Sequence, residues 1–197
     1  AGLRSAKERS AWEQRLAALS EGISPISVNY AYQEAFPPEE AHVDLSDILA
    51  CAGGQSIRIE FYRRPDDEAA MLRLKIFHQP EHLSLSRRVP LLENLGFQVV
   101  SERTFEIEAR TGDSERTVVL HDMELHLPRP ETLDLSRDSA RLEDAFLAAF
   151  NGSADNDSFN RLVLLAGLDS RETTVMRAYA RYLRQAGIVY AQETIAD

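Results

Sequence analysis

The sequence predicts an α+β fold: an antiparallel four-stranded sheet with helices on one face, followed by a C-terminal helical segment. Three observations predict it. Between Ile57 and Leu127 apolar residues recur with period two, the spacing of half-buried strands. Before and after that stretch they recur at helical spacing. Pro37-Pro38, Gly53-Gly54, Gly96 and Gly167 stand where the periods change.

Residues 3–21 read as a helix, with Trp12, Leu16 and Leu19 at i, i+4, i+7 and Gly22 as its C-terminal cap. A short helix is expected around Val28–Phe36, stopped by Pro37-Pro38. Another is expected at Leu45–Cys51, with Asp44 as N-cap. Ile57, Ile59 and Phe61 alternate with polar partners and predict the first strand; Leu72, Leu74 and Ile76 predict the second. The polar link RPDDEAA suits a long hairpin loop. Leu91, Leu92 and Leu95 give one face of a helix over Ser86–Leu95, with Pro90 near its first turn. Strands follow at Phe97–Glu108 and Arg116–Leu127. In the last, Val118 and Leu120 have opposite parity to Met123, Leu125 and Leu127, so a β-bulge is expected near His121-Asp122. The order strand, strand, helix, strand, strand resembles a ferredoxin-like arrangement. Val28–Tyr32 is the only candidate for a further strand, and it reads as helix.

Beyond Pro128 and Pro130 come three helices. Leu142, Ala145, Phe146, Ala149 and Phe150 form a wide core-facing stripe. Phe159, Leu162, Val163 and Ala166 mark the second helix, closed by Gly167. Asp169 with Glu172 reads as a capping box opening the third, which Val175, Met176, Tyr179, Tyr182, Leu183 and Ala186 carry to Gly187. The divisions expected are residues 1–40 (N-terminal helical segment), 41–130 (α+β domain) and 131–197 (C-terminal helices).

The 197 residues suffice to bury an ordinary core. A net charge of -10 argues against general nucleic-acid binding. Of 22 basic residues only Lys7 and Lys75 are lysines, which leaves few groups for Schiff-base chemistry. Cys51 is the only cysteine, so neither an intrachain disulfide nor a thiolate cage forms; near a helix end, it reads as a buried apolar residue. No apolar run reaches membrane-spanning length, and AGLRSAKERSAWEQ is too polar for a signal peptide, so a cytoplasmic protein is expected.

Motifs of phosphate cradles, nucleophile elbows and zinc proteases are absent. His78 and His82 are spaced i, i+4, but Pro80 between them makes a solvent-exposed loop the expectation. His121 and Asp122 at the expected bulge are candidates for ligand contact; the competing reading has Asp122 and His126 facing solvent and His121 serving local backbone. Arg177, Arg181 and Arg184 fall at i, i+4, i+7. They read either as a stripe docking carboxylates of a neighbouring domain or as a solvated face. No residue is expected to be catalytic, to bind a cofactor or to hold a metal.

The strings AFPPEEA, VPLLENLGFQVVSERTFEI, VLHDMEL, RLEDAFLAAFNG, NDSFNRLVLLAGL, SRETTVMRAYARYLRQAG and YAQETI occur in that order along almost the whole chain. Together they resemble the large bacterial NAD-specific glutamate dehydrogenases, in the region just before the catalytic one. The resemblance implies that the sheet is the third ACT-type domain and that the parent converts L-glutamate, NAD and water to 2-oxoglutarate, ammonia and NADH. It also implies that the hydride-transfer machinery lies downstream of Asp197, so NAD is expected in the parent and no cofactor in this segment. The partners implied are other domains and subunits of the enzyme, with an amino-acid effector as a further possibility.

Two functions are weighed on this basis. A structural and assembly module would expose a large apolar patch. An amino-acid-binding regulatory module would hold its ligand near a sheet edge and a helix N-terminus. The sequence lacks a glycine-bearing strand-to-helix loop before the Leu45 helix, which favours the structural role.

Overall fold

The computed structural model describes residues 6–20, 26–80, 83–112, 114–128 and 133–187. Its elements are α1 (Ala6–Leu19), β1 (Ile26–Val28), α2 (Tyr30–Ala35), α3 (Pro38–Ala52), β2 (Ile57–Tyr62), β3 (Met71–His78), α4 (Leu85–Asn94), β4 (Gln98–Thr111), β5 (Ser114–His126), α5 (Leu135–Phe150), α6 (Arg161–Leu165) and α7 (Ser170–Gln185). A single 3₁₀ turn, Ser158–Asn160, leads into α6. Gly22, His82, Pro130 and the YAQETI segment lie outside the described residues.

The α+β, ACT-like class is observed, with five strands in an antiparallel sheet of order β1-β4-β5-β3-β2. The fifth strand is β1. It pairs antiparallel with β4 in the register Ile26↔Ala109, Ser27↔Glu108, Val28↔Ile107. The helix expected from Val28 therefore starts later, at Tyr30, because the Asn29 side chain caps it by accepting from the Tyr32 N–H. A three-residue edge strand is too short to show a period of two.

The helix expected at Leu45–Cys51 is longer. α2 ends at Ala35 just before Pro37-Pro38, as expected, and Pro38 also occupies the first turn of α3, where its missing N–H is harmless and Glu39 and Glu40 suit the helix dipole. Asp44 is consequently inside the helix and buried, not at its cap.

The bulge expected at His121-Asp122 is not needed. Ser101 bonds Glu124 (2.6 Å), Arg103 bonds Asp122 (2.6 Å), Thr104 meets His121 (3.0 Å) and Thr117 bonds Glu108 (2.9 Å). All four pairs share one antiparallel register, which also sets Thr111 opposite Ser114 at the hairpin end. The parity change has another cause. Every residue from Val118 to Met123 is buried, so β5 is covered on both faces and both parities count as core. Leu74 to His78 of β3 are likewise all buried.

Two compact units are present. The first comprises Ala1–Ile59, Lys75–Leu83 and Arg103–Asp122. Its core gathers Trp12 and Leu16 of α1, Tyr32 of α2, Ile48 and Cys51 of α3, and Phe77, Phe105, Ile107 and Leu120 of the sheet, with Phe36 after α2. Rings of Tyr32, Phe36 and Phe105 meet with centroids 4.8–5.7 Å apart, and Trp12 Nε1 donates to the Phe36 carbonyl at 3.0 Å. The second unit comprises Glu60–Leu74, Ser84–Glu102 and Met123–Asp197. In it α5 buries Leu142, Ala145, Phe146 and Phe150, the stripe its spacing predicts. Asp134 caps this helix through the Ser136 N–H.

Candidate functional site

Two constellations of polar side chains stand out, one in each unit. In the first unit, Lys75 projects from β3 into the apolar core and is 2% exposed. Its ammonium lies 2.8 Å from both oxygens of Asp44 and 2.8 Å from Glu40 Oε1, and 4.8 Å from the centre of the Phe36 ring. Tyr32 reaches the same carboxylate, its hydroxyl 3.5 Å from Asp44 Oδ2. Burial, then the negative charges of Asp44 and Glu40, raise its phenol well above the usual range. A buried cation bonded by two carboxylates is paired, which is the condition for keeping charge in a core.

His121 and Asp122, the two candidates on β5, both point inward. Asp122 is 2% exposed and accepts from Arg103, correcting the expectation that it faces solvent. The ring nitrogens of His121 meet two side chains. Its Nδ1 lies 3.0 Å from Thr104 Oγ1 and its Nε2 lies 2.8 Å from Nε2 of His78. His78, expected on an exposed loop, instead ends β3, is buried, and has Nδ1 2.5 Å from the Gln79 carbonyl. That carbonyl only accepts, so the hydrogen-bond pattern assigns the His78 proton to Nδ1. His121 then donates from Nε2 to His78, and Thr104 donates to His121 Nδ1. With these roles each ring nitrogen of both histidines has a partner. Among the described residues no group of three metal-ligating side chains forms. His126 at the end of β5 is exposed.

At the β1 edge a half-open cavity of about 250 Å³ is lined by Trp12, Glu13, Ile26, Val28, Glu108, Arg110 and Glu115. It carries both signs of charge next to the short edge strand.

The second constellation is α7. Its capping box forms as the spacing predicts: Asp169 accepts from the Glu172 N–H at 2.7 Å, and Glu172 accepts from the Asp169 N–H at 2.9 Å. The helix is nevertheless turned over. Thr173, Arg177 and Ala180 face inward, while Val175, Met176, Tyr179 and Tyr182 are 47%, 40%, 63% and 67% exposed. This reverses the expected core stripe. The cause is Arg177, whose guanidinium bonds Asp157 through Nε (2.8 Å) and Nη2 (3.0 Å), and Asn160 through Nη2 (2.8 Å). The Arg177 Nη2 also donates to the Asp155 carbonyl at 3.3 Å. Five donors in a planar fork match this set of oxygens, and no tyrosine does. The arginine stripe thus divides: Arg177 is internal, Arg181 is exposed and paired with Asp155 at 2.7 Å, and Arg184 is exposed in the last turn. Sequence spacing found these arginines but missed their acceptors, which lie in the irregular loop NGSADNDS and the 3₁₀ turn that follows it. The signal was there in Asp155, Asp157 and Asn160, three short acceptors ahead of a helix that carries a basic stripe.

Comparison with known proteins adds the family. Residues 56–137 match the family model described as glutamate dehydrogenase, ACT3 domain, and residues 154–197 match glutamate dehydrogenase, helical motif 3. NAD-specific glutamate dehydrogenase of Halomonas elongata is 36% identical over 166 residues, 84% of this chain and 10% of that protein. The enzymes of the same name from Pseudomonas aeruginosa (36% over 154 residues, 78% and 9%) and Mycobacterium tuberculosis (31% over 170 residues, 84% and 10%) are also similar. The chain belongs to the NAD-specific glutamate dehydrogenase family. It spans about a tenth of the length of these relatives.

The relatives' name specifies NAD, and the described residues do not fit it. A dinucleotide pyrophosphate is held where a glycine-rich turn leads from a strand into a helix N-terminus. In this member of the glutamate dehydrogenase family the glycines with positive φ are Gly54, Gly96, Gly112, Gly152, Gly167 and Gly187. They follow helices or turn the β4–β5 hairpin, and none joins a strand to a helix. No helix among the described residues is long and apolar enough to cross a membrane.

Proposed function

We propose that this chain is a non-catalytic packing and assembly segment of an NAD-dependent glutamate dehydrogenase. The parent polypeptide oxidatively deaminates L-glutamate to 2-oxoglutarate in the cytoplasm, with NAD and the catalytic groups held by other parts of it. The organisation that accompanies this reading is an N-terminal helical segment (1–40), an ACT-like domain (41–130) and a helical segment (131–197). Its partners are other domains and subunits, with Arg181 and Arg184 as candidates for docking their carboxylates. His121 and Asp122 serve the interior of the sheet.

One observation carries the reading: α7 keeps an arginine inside and four large apolar side chains outside. Leaving such a side chain in water forgoes about 1.5–3 kcal/mol. A contiguous apolar face of this kind marks an interaction site. The test is Tyr179→Ser combined with Tyr182→Ser in the full-length enzyme. A lowered thermal midpoint or a shift towards smaller assemblies, with unchanged KM for glutamate and NAD, supports the proposal. Unchanged assembly and midpoint would refute it.

The cavity at the β1 edge favours a second reading, an amino-acid effector site. On this reading Glu13 and Glu108 would meet an ammonium group, and Arg110, 3.7 Å from Glu115, a carboxylate. Aspartate, arginine and glutamate at millimolar concentration should then raise the melting midpoint. The rise should vanish with Glu13→Ala and Arg110→Ala together.

A further inference from the structure

We infer that His78 and His121 form a proton-sensitive clasp: their contact holds the end of β3 to β5 while a single proton lies between the two rings, and acidification opens it. The clasp does not depend on the packing role proposed for α7.

Geometry limits how many protons the pair carries. His78 Nε2 and His121 Nε2 lie 2.8 Å apart. The ring centroids are 4.9 Å apart and the planes 20° apart, so the rings meet edge to edge. At that separation one nitrogen donates and the other accepts; two N–H groups cannot point at each other. The outer nitrogens are less restricted. His78 Nδ1 donates to the Gln79 carbonyl, and His121 Nδ1 meets the Thr104 hydroxyl, which can turn to donate or to accept. The four ring nitrogens therefore hold two or three protons, never four. A second positive charge enters only by parting the rings. Inside the sheet it would stand against another cation, where His78 is 2% and His121 5% exposed.

The described residues around the pair do not offset that charge. On the same sheet face Val119 and Met123 flank His121, and Ile76 precedes His78, all apolar and buried. Along the Thr104 side of β4 the ionisable groups are Glu102, bonded to Arg88, and Glu106, exposed to water. The opposite sheet face carries Lys75 with Asp44 and Glu40, and Asp122 with Arg103. These carboxylates are committed to cations or to solvent. Cys51 of α3, its thiol pushed up to about 12, stays uncharged.

Release of the clasp reaches α3. Gln79, whose carbonyl accepts from His78, donates through Nε2 to the Cys51 carbonyl at 2.9 Å, and Cys51 Sγ donates to the Phe77 carbonyl at 3.3 Å. The end of β3 and the last turn of α3 are thus tied together by the residue next to the clasp.

The sign of the effect follows from the proton count. In an opened chain both imidazoles titrate near their ordinary value of about 6.5 and take up two protons in acid, whereas the closed clasp takes one at most. The closed form is therefore fully favoured above pH ~7 and loses about tenfold per pH unit below pH ~6.

The experiment treats the full-length enzyme with dithiodipyridine, a thiol reagent that works in acid, between pH 7.5 and 5. Modification of Cys51 is read by peptide mass spectrometry, with its rate divided by that of free glutathione at the same pH. This ratio should rise about tenfold from pH 6 to pH 5. In the double variant His78→Gln/His121→Gln, where one amide donates to the other without titrating, the rise should shrink to less than about twofold. Deuterium exchange at the ring C2 of each histidine, followed in the unmodified enzyme, should place at least one of the two midpoints about a unit or more below 6.5. A flat ratio down to pH 5 would overturn the inference, as would a rise of the same size in the double variant. If the double variant does not fold, the exchange data decide: two midpoints near 6.5 would show both rings charged in place and would overturn it.

Discussion

Arg177 and Asp157 form a two-point ion pair, Nε to Oδ2 at 2.8 Å and Nη2 to Oδ1 at 3.0 Å, with the arginine side chain 4% exposed. This pair decides which way α7 faces. Arg177→Ala is expected to cost about 2–3 kcal/mol, since it leaves Asp157 and Asn160 without their donor. Arg177→Lys should recover only part of that, because an ammonium cannot span the same oxygens. Urea unfolding of both variants checks this, and a loss below about 0.5 kcal/mol in Arg177→Ala, the range of an ordinary surface change, would contradict it.

The same pair shows what could be read in advance and what could not. Long elements with strong periodicity were legible: β2 to β5, the Leu142–Phe150 stripe of α5 and the Asp169/Glu172 box all stand where spacing puts them. Partnerships across long sequence separations were not. Asp44 looks like a cap until Lys75 is found beside it, and Asp122 looks solvated until Arg103 covers it. Period analysis assumes that apolar side chains face the core. On α7 a guanidinium satisfied by four bonds outcompetes two tyrosines for the inner face, and the signal for that lies in the acceptors ahead of the helix, not in the helix's own period. In β5 the assumption failed differently: burial on both faces mimicked an inserted residue.

Asp138 gives a pH-dependent test. The Arg137 guanidinium, then the Asp134 N–H and the charge of Arg141, pull its carboxyl down to about 2. The unfolded value is about 3.9. The folded form thus binds the proton more weakly, so the stabilisation is fully present above pH ~4 and fades as pH falls towards 2. Allowing for the exposure of Arg137, it amounts to about 1–2 kcal/mol. Asp138→Asn should flatten the stability profile between pH 4 and 2 by that amount; an unchanged slope would count against the assigned ion pairs.

Cys51 provides a reporter of opening. It is buried, its Sγ donates to the Phe77 carbonyl at 3.3 Å, and burial followed by the nearby Asp47 pushes its thiol up to about 12. The thiolate is the reactive species. Mass spectrometry after iodoacetamide at pH 8 should find the Cys51 peptide unmodified in the native protein and modified in urea. Rapid native labelling would show that the α3 packing is not as described.

Gly96 and Gly112 carry backbone strain of different size. Both have positive φ, +97° and +61°; a Cβ at Gly96 would make ordinary contacts at 3.4 Å with Arg161 Cβ and Leu164 Cδ2, and at Gly112 it meets nothing within 4 Å. Gly112→Ala should cost about 1–2 kcal/mol, the strain of the left-handed conformation. Gly96→Ala should cost more, because +97° lies outside the left-handed well that L residues can enter. Thermal unfolding of the two variants side by side reads the difference, and equal losses would contradict the conformation assigned to the α4–β4 turn.

The outward face of α7 is tested most directly by combining Val175→Ser, Tyr179→Ser and Tyr182→Ser in residues 1–197 and measuring unfolding free energy against Phe159→Ala. Phe159 is 1% exposed, and its truncation should cost about 3–5 kcal/mol. The triple variant should stay within about 0.5 kcal/mol of the parent sequence. A loss from the triple variant as large as that from Phe159→Ala would mean that this face is part of the segment's own core, and would contradict the account.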